Sequence, residues 1–79
     1  MKLTTYQPDR LLDKLSKQLK AGNDRELSKL LEIPPSTISK IRRKAIAISA
    51  KHLLTIHDKS GIEIKELRKI MGDERQYFN

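Results

Sequence analysis

Residues 24–44 read DRELSKLLEIPPSTISKIRRK, and their pattern predicts two short helices joined by a tight turn. Leucines three and four residues apart indicate the first helix, because this spacing places side chains on one side. That helix is expected to end near Leu31, because Pro34 and Pro35 restrict the residues that precede them. Proline is well tolerated in a first helical turn, so the second helix should run from about Pro35 to Arg43.

One helix is predicted before this pair and two after it. The first covers about 9–21 and should stop at Gly22. The fourth is capped by Ser49 and closed by Gly61, and the fifth ends before Gly72. The chain has no valine and no tryptophan, so strand-forming residues are scarce. These features predict an all-α fold, a compact domain of five helices.

The length of 79 residues supports one hydrophobic core, so we expect a single domain over 1–79. There is no cysteine, which removes disulfides, thiolate metal ligands and a cysteine nucleophile.

No apolar run could cross a bilayer and the N-terminus lacks a signal-peptide pattern, so we expect no membrane partner and a cytoplasmic location. The tail 73–79 is expected to be flexible or to pair with a second subunit.

The formal net charge of the whole chain is +7. Its basic residues are concentrated in the middle of the sequence. From Ile33 to His57 there is no acidic residue. The basic residues of this window are Lys40, Arg42, Arg43, Lys44 and Lys51. Such a patch favours a polyanionic partner. The window has no aromatic residue for stacking on unpaired bases, so double-stranded DNA is favoured over RNA or single strands.

The central segment also resembles a known family of DNA-binding motifs. Leu27-Ser28, Ile33, Ser36-Thr37-Ile38-Ser39 and Ile41 are similar to the helix-turn-helix of the lambda-repressor and Cro family, over about 24–44. One helix before the motif and two after it match that family's five-helix domain. The resemblance implies a sequence-specific DNA-binding transcriptional regulator, a phage-type or prokaryotic repressor acting by operator occupancy. Within that family, the chain resembles the Cro-like group, because we identify no effector domain.

The resemblance and the helical pattern assign roles to individual residues. The motif core is expected to consist of Leu27, Ser28, Leu31, Ile33, Ile38 and Ile41. The expected base contacts are Pro35, Ser36, Ser39 and Lys40, where serine and lysine suit direct readout. The expected phosphate contacts are Asn23, Thr37, Arg42, Arg43, Lys44 and Lys51.

Two positions depart from the family pattern. Glu32 stands where the family usually has a glycine, which tolerates a positive φ at no steric cost. The turn is therefore either strained or different in geometry. Asp24 stands where relatives often have a glutamine that contacts a phosphate, and its charge would repel one. Asn23 is expected to cap the second helix and to present its N-terminus to phosphate.

A two-fold homodimer on an inverted-repeat operator is predicted, because one short recognition helix reads too few base pairs. The fifth helix and the tail are the expected interface, since they carry more apolar side chains than a small core needs. The candidate contacts are Ile64, Leu67, Ile70, Met71, Tyr77 and Phe78.

Other classes of function find less support. His52, His57 and Asp58 are the only candidates for catalysis, and a separation of five residues turns the two histidines about 140° apart on a helix. We therefore expect that the protein is not an enzyme and that it binds no metal, cofactor or small-molecule ligand. A membrane-surface helix over 41–54 lacks bulky aromatics and is interrupted near Ser49. A protein-interaction module of the same fold, such as an antitoxin or adaptor, remains the alternative.

Overall fold

The computed structural model describes residues 6–73, and these residues form five α-helices. The helices are α1 (Pro8–Leu19), α2 (Asp24–Leu31), α3 (Pro35–Arg42), α4 (Ala50–Ser60) and α5 (Ile64–Met71). No strand occurs in this part of the chain, so the predicted all-α fold of five helices is confirmed. None of the described helices has the length and apolar composition needed to cross a membrane.

Aliphatic side chains from all five helices and two loops form the core. The buried hydrophobic residues are Leu11, Leu12, Leu15, Leu27, Leu31, Ile33, Ile38, Ile41, Ile48, Leu53, Ile56, Leu67 and Met71. Helix α1 contacts each of the other four helices. Its leucine stripe therefore sets the position of the α2–α3 pair relative to α4 and α5.

Side-chain caps begin two of the helices as predicted. The Oδ1 atom of Asn23 accepts a hydrogen bond from the backbone N–H of Glu26 (2.9 Å), and Ser49 Oγ accepts from that of His52 (3.2 Å). Each cap satisfies a backbone donor in the first turn that has no partner within the helix. Gly61 and Gly72 end α4 and α5 in the left-handed conformation.

The end of α1 differs from the prediction. The chain reverses at Lys20, whose φ is 59°, and the backbone N–H of Ala21 donates to the carbonyl of Ser16 (2.8 Å). Helix α1 therefore ends at Leu19 rather than near Ala21, and Gly22 is not the residue that stops it. The N–H of Gly22 instead donates to Oε1 of Glu26 (2.6 Å), so this glycine belongs to the start of α2.

Candidate nucleic-acid interface

Helices α2 and α3 are held together by a short buried turn. Ile33 lies in this turn with its side chain in the core, and its N–H donates to the carbonyl of Ser28 (3.0 Å). Ser28 is buried, and its hydroxyl donates to the carbonyl of Arg25 within α2 (3.0 Å). The six residues expected in the motif core are all buried: Leu27, Ser28, Leu31, Ile33, Ile38 and Ile41. This packing fixes the orientation of α3.

Glu32 adopts the left-handed conformation that the glycine of related motifs would adopt. Its φ is 58°, so the turn keeps that geometry and Glu32 bears the steric cost of a side chain there. Its carboxylate accepts a hydrogen bond from Nζ of Lys59 (2.8 Å), which lowers the pKa of Glu32 and raises that of Lys59. An exposed ion pair therefore joins the turn to the end of α4.

One side of α3 is open to solvent. The four residues expected to contact bases, Pro35, Ser36, Ser39 and Lys40, are all exposed. Ser36, Ser39 and Lys40 are three and four residues apart, so they share one side of the helix. Within residues 6–73, none of these four side chains forms a hydrogen bond or an ion pair. Their polar groups are therefore available to a ligand.

The chain after α3 reverses in a defined way. The N–H of Arg43 donates to the carbonyl of Ser39 (3.1 Å), and that of Ala45 to the carbonyl of Lys40 (2.8 Å). Lys44 takes the left-handed conformation with a φ of 61°. Arg43 and Lys44 are exposed, and in the described part of the chain neither side chain has a polar partner. Two free cations thus extend the open side of α3.

The remaining expected phosphate contacts lie in three different environments. Thr37 is half-buried in the first turn of α3, and Lys51 is exposed in the first turn of α4. Asn23 is exposed, but its Oδ1 is occupied by the cap of α2. Helix α2 also begins with two carboxylates, Asp24 and Glu26, so this helix end attracts phosphate weakly.

Arg42 departs from its expected role as a phosphate contact. Its Nε and Nη2 atoms donate to the two carboxylate oxygens of Asp24 (2.8 and 3.0 Å). Its Nη1 atom donates to Asp13 (3.0 Å) and to Asp9 (3.2 Å). The hydrogen bond with Asp24, aided by the one with Asp13, raises the pKa of Arg42 above its ordinary value despite partial burial. Arg42 is therefore a structural link between α3, α2 and α1.

Local sequence patterns do not predict this network, because its members are far apart in the chain. Asp24 was expected to repel phosphate as a free charge, but Arg42 holds both of its oxygens. Asp9 and Asp13 are four residues apart at the edge of the leucine stripe of α1, which is the only local sign of a shared cationic partner. The identity of that partner depends on how α1 and α3 pack.

Helix α5 offers less surface to a partner than expected. Leu67 and Met71 are fully buried in the core, so they are not available as dimer contacts. Ile64 and Ile70 are half-buried and pack against the core. The other two candidates, Tyr77 and Phe78, lie outside the described residues.

In the described part of the chain, the two histidines belong to no cluster of potential metal ligands. Nδ1 of His57 lies 2.7 Å from the carbonyl oxygen of Ile62, a contact that closes the end of α4. Over residues 6–73, no three His, Cys, Asp or Glu side chains are placed to hold a metal ion.

Comparison with known proteins gives one family. The family model described as the bacteriophage CI repressor helix-turn-helix domain matches residues 10–77. The match covers most of α1 and all of α2 to α5. No curated protein and no solved structure matches the chain.

Proposed function

The chain belongs to the bacteriophage CI repressor helix-turn-helix domain family, and from this premise we propose that it is a sequence-specific repressor that acts by occupying duplex DNA. The family is one of DNA-binding regulators rather than enzymes. The observation that carries the proposal is the open side of α3, where polar and basic side chains are exposed without partners.

Direct readout of bases is assigned to the first two turns of α3. A helix of this width enters the major groove, where base edges carry distinct patterns of donors and acceptors. Lys40 would donate to the O6 and N7 acceptors of guanine. Ser36 and Ser39 would donate or accept, and Pro35 would make apolar contact at the start of the helix.

Backbone contact is assigned to the cations that follow α3 and to neighbouring polar groups. Arg43, Lys44 and Lys51 would neutralise phosphates, whereas Thr37 and the free amide group of Asn23 would donate single hydrogen bonds. Arg42 is left out of this set because three carboxylates already engage it.

We further propose a homodimer on an inverted repeat. Two recognition helices about 34 Å apart would read successive turns of one face of the duplex. The interface is assigned to the half-buried Ile64 and Ile70 together with Tyr77 and Phe78. We also propose that the protein acts in the cytoplasm, associated with the nucleoid when bound to DNA.

Selection from a pool of random duplexes tests this function directly. We expect an enriched inverted repeat, which would establish duplex DNA as the target and a two-fold dimer as the binding form. Recovery of an enriched single half-site would reject the dimer, and recovery of no enriched sequence would reject sequence-specific repression in favour of a protein-interaction module.

The Lys40→Ala variant tests the position of α3 in the groove. Loss of a contact with a base edge should relax the preference at one base pair by about 1–3 kcal/mol and leave the other positions unchanged. The same selection, repeated with the variant, measures this preference. An unchanged enriched motif would show that Lys40 does not face the bases.

A further inference from the structure

The charged residues of helix α1 lie on two adjoining parts of its exposed surface. At about 100° per residue, Asp9 and Asp13 lie next to each other on the side that meets Arg42. Three basic residues lie within about 60° of one another on the side opposite the leucine stripe. They are Arg10, Lys14 and Lys17, and we call them the α1 basic face. All three are exposed.

In the sequence, nearby acidic residues offset the charge of this face. The first 32 residues carry seven basic and five acidic side chains. In the structure, all five carboxylates have partners elsewhere. Asp9, Asp13 and Asp24 accept from Arg42, Glu26 accepts from the N–H of Gly22, and Glu32 accepts from Lys59.

The cations of the α1 basic face have no such partners. Across residues 6–73, the side chains of Arg10, Lys14 and Lys17 form no ion pair and no hydrogen bond. Unpaired cations on one face of a rigid helix are suited to a polyanion, because binding releases the counterions that the polyanion had condensed.

Asp13 joins the α1 basic face to α3 through the side chain of Arg42. Its Oδ1 lies 3.0 Å from Nη1 of Arg42, and its side chain lines a shallow groove with Arg10, Lys14 and Lys17. The groove therefore begins at the carboxylate that holds the guanidinium of Arg42. From Arg10 to Lys17 the helix rises about 10 Å, a length that matches about three phosphates of one DNA strand.

We propose that the α1 basic face is a second phosphate-binding surface for the same duplex, holding the DNA backbone beyond the bases that α3 reads. This inference rests on the proposed function and extends it, because it predicts contact with DNA that flanks the recognised bases. The occupant is the phosphate backbone of duplex DNA, as the unpaired positive charge of the face and its link to α3 through Asp13 indicate.

The test compares two double variants that remove the same charge from different helices. Lys14→Gln/Lys17→Gln changes the α1 basic face, and Lys65→Gln/Lys69→Gln removes two exposed lysines from α5 as the matched control. Affinity for a mixed-sequence duplex of about 30 base pairs, three helical turns, is measured over a salt series. The slope of log affinity against log salt should become shallower by about 1.8 in the α1 variant, from two lost phosphate contacts. The control should keep the slope of the unsubstituted protein.

The possible failures can be told apart. Equal slopes for the two variants, with DNA binding by the unsubstituted protein intact, would overturn the second surface and leave the proposed function standing. Absence of salt-dependent duplex binding by the unsubstituted protein would overturn both.

A footprint on the unsubstituted protein gives an independent result that does not depend on the folding of variants. Acylation of lysine amines is measured with and without the same duplex. Lys14 and Lys17 should be protected by DNA, and Lys65 and Lys69 should react as before. Full reactivity of Lys14 and Lys17 in a duplex complex that protects Lys40 and Lys44 would contradict the proposal.

Discussion

Arg42 and Arg43 are consecutive residues of the same charge, but they lie in opposite environments. The guanidinium of Arg42 turns toward α1 and α2 and is held by Asp9, Asp13 and Asp24. Arg43 projects into solvent, and within the described residues its side chain has no polar partner. A rotation of about 100° around the helix axis thus separates a structural cation from a binding cation.

The same contrast applies to the two sides of α3. Its carboxylate side carries Arg42, which is held by three aspartates of α1 and α2. Its open side carries Lys40 and is extended by Arg43 and Lys44. The number of basic residues in the sequence therefore overstates the number available to DNA. Of the cations of α3 and the segment that follows it, only those of the open side should contribute to duplex binding.

Arg42→Ala should give the largest effect on stability. It removes hydrogen bonds to charged groups and leaves three carboxylates close together without a cation, so the free energy of unfolding should fall by about 1–3 kcal/mol. Arg43→Ala is the matched control, because truncation of an exposed side chain without partners should change stability by less than about 0.5 kcal/mol. Urea denaturation of both variants provides the comparison. Equal free energies of unfolding for the two variants would show that Arg42 stabilises the fold no more than Arg43 does.

The ion pair of Glu32 with Lys59 should contribute less to stability than the contacts of Arg42, because this pair is exposed. Glu32→Gly should raise the melting temperature by a few degrees, since glycine removes the steric cost of the left-handed backbone and an exposed ion pair contributes little. Thermal unfolding followed by circular dichroism measures the change. A melting temperature below that of the unsubstituted protein would show that the pair outweighs the backbone cost.

Glu32→Gln separates the two contributions, because it keeps the backbone conformation and removes the charge. The pairing lowers the pKa of Glu32 from 4.5, so its stabilising contribution is present above that pH and is lost as pH falls through the lowered value. The small difference between Glu32→Gln and the unsubstituted protein should therefore be seen near neutral pH and disappear in acid.

Local patterns in the sequence were sufficient to predict the helices and most of their ends. Leucine spacing located α1 and α2, and Asn23 and Ser49 cap the helices that they were expected to cap. These features depend on residues three or four positions apart. The end of α1 was misplaced because Lys20, rather than Gly22, takes the left-handed conformation.

Interactions between distant segments were not predictable in this way. The Arg42–Asp24 pair joins residues 18 positions apart, and its formation depends on how α3 packs against α1 and α2. Leu67 and Met71 fit both a core and a dimer interface by their spacing alone. Their complete burial assigns them to the core, which only the arrangement of α5 against the other helices could decide.

Arg43 and Lys44, which extend the open side of α3, should bind the DNA backbone, and Arg42 on its carboxylate side should not. The most direct test is the salt dependence of duplex affinity for Arg43→Gln and Arg42→Gln, measured where both variants are shown to be folded. The slope of log affinity against log salt should become shallower by about 0.9 in Arg43→Gln and stay unchanged in Arg42→Gln. A shallower slope in Arg42→Gln with an unchanged slope in Arg43→Gln would contradict this distinction between the two arginines.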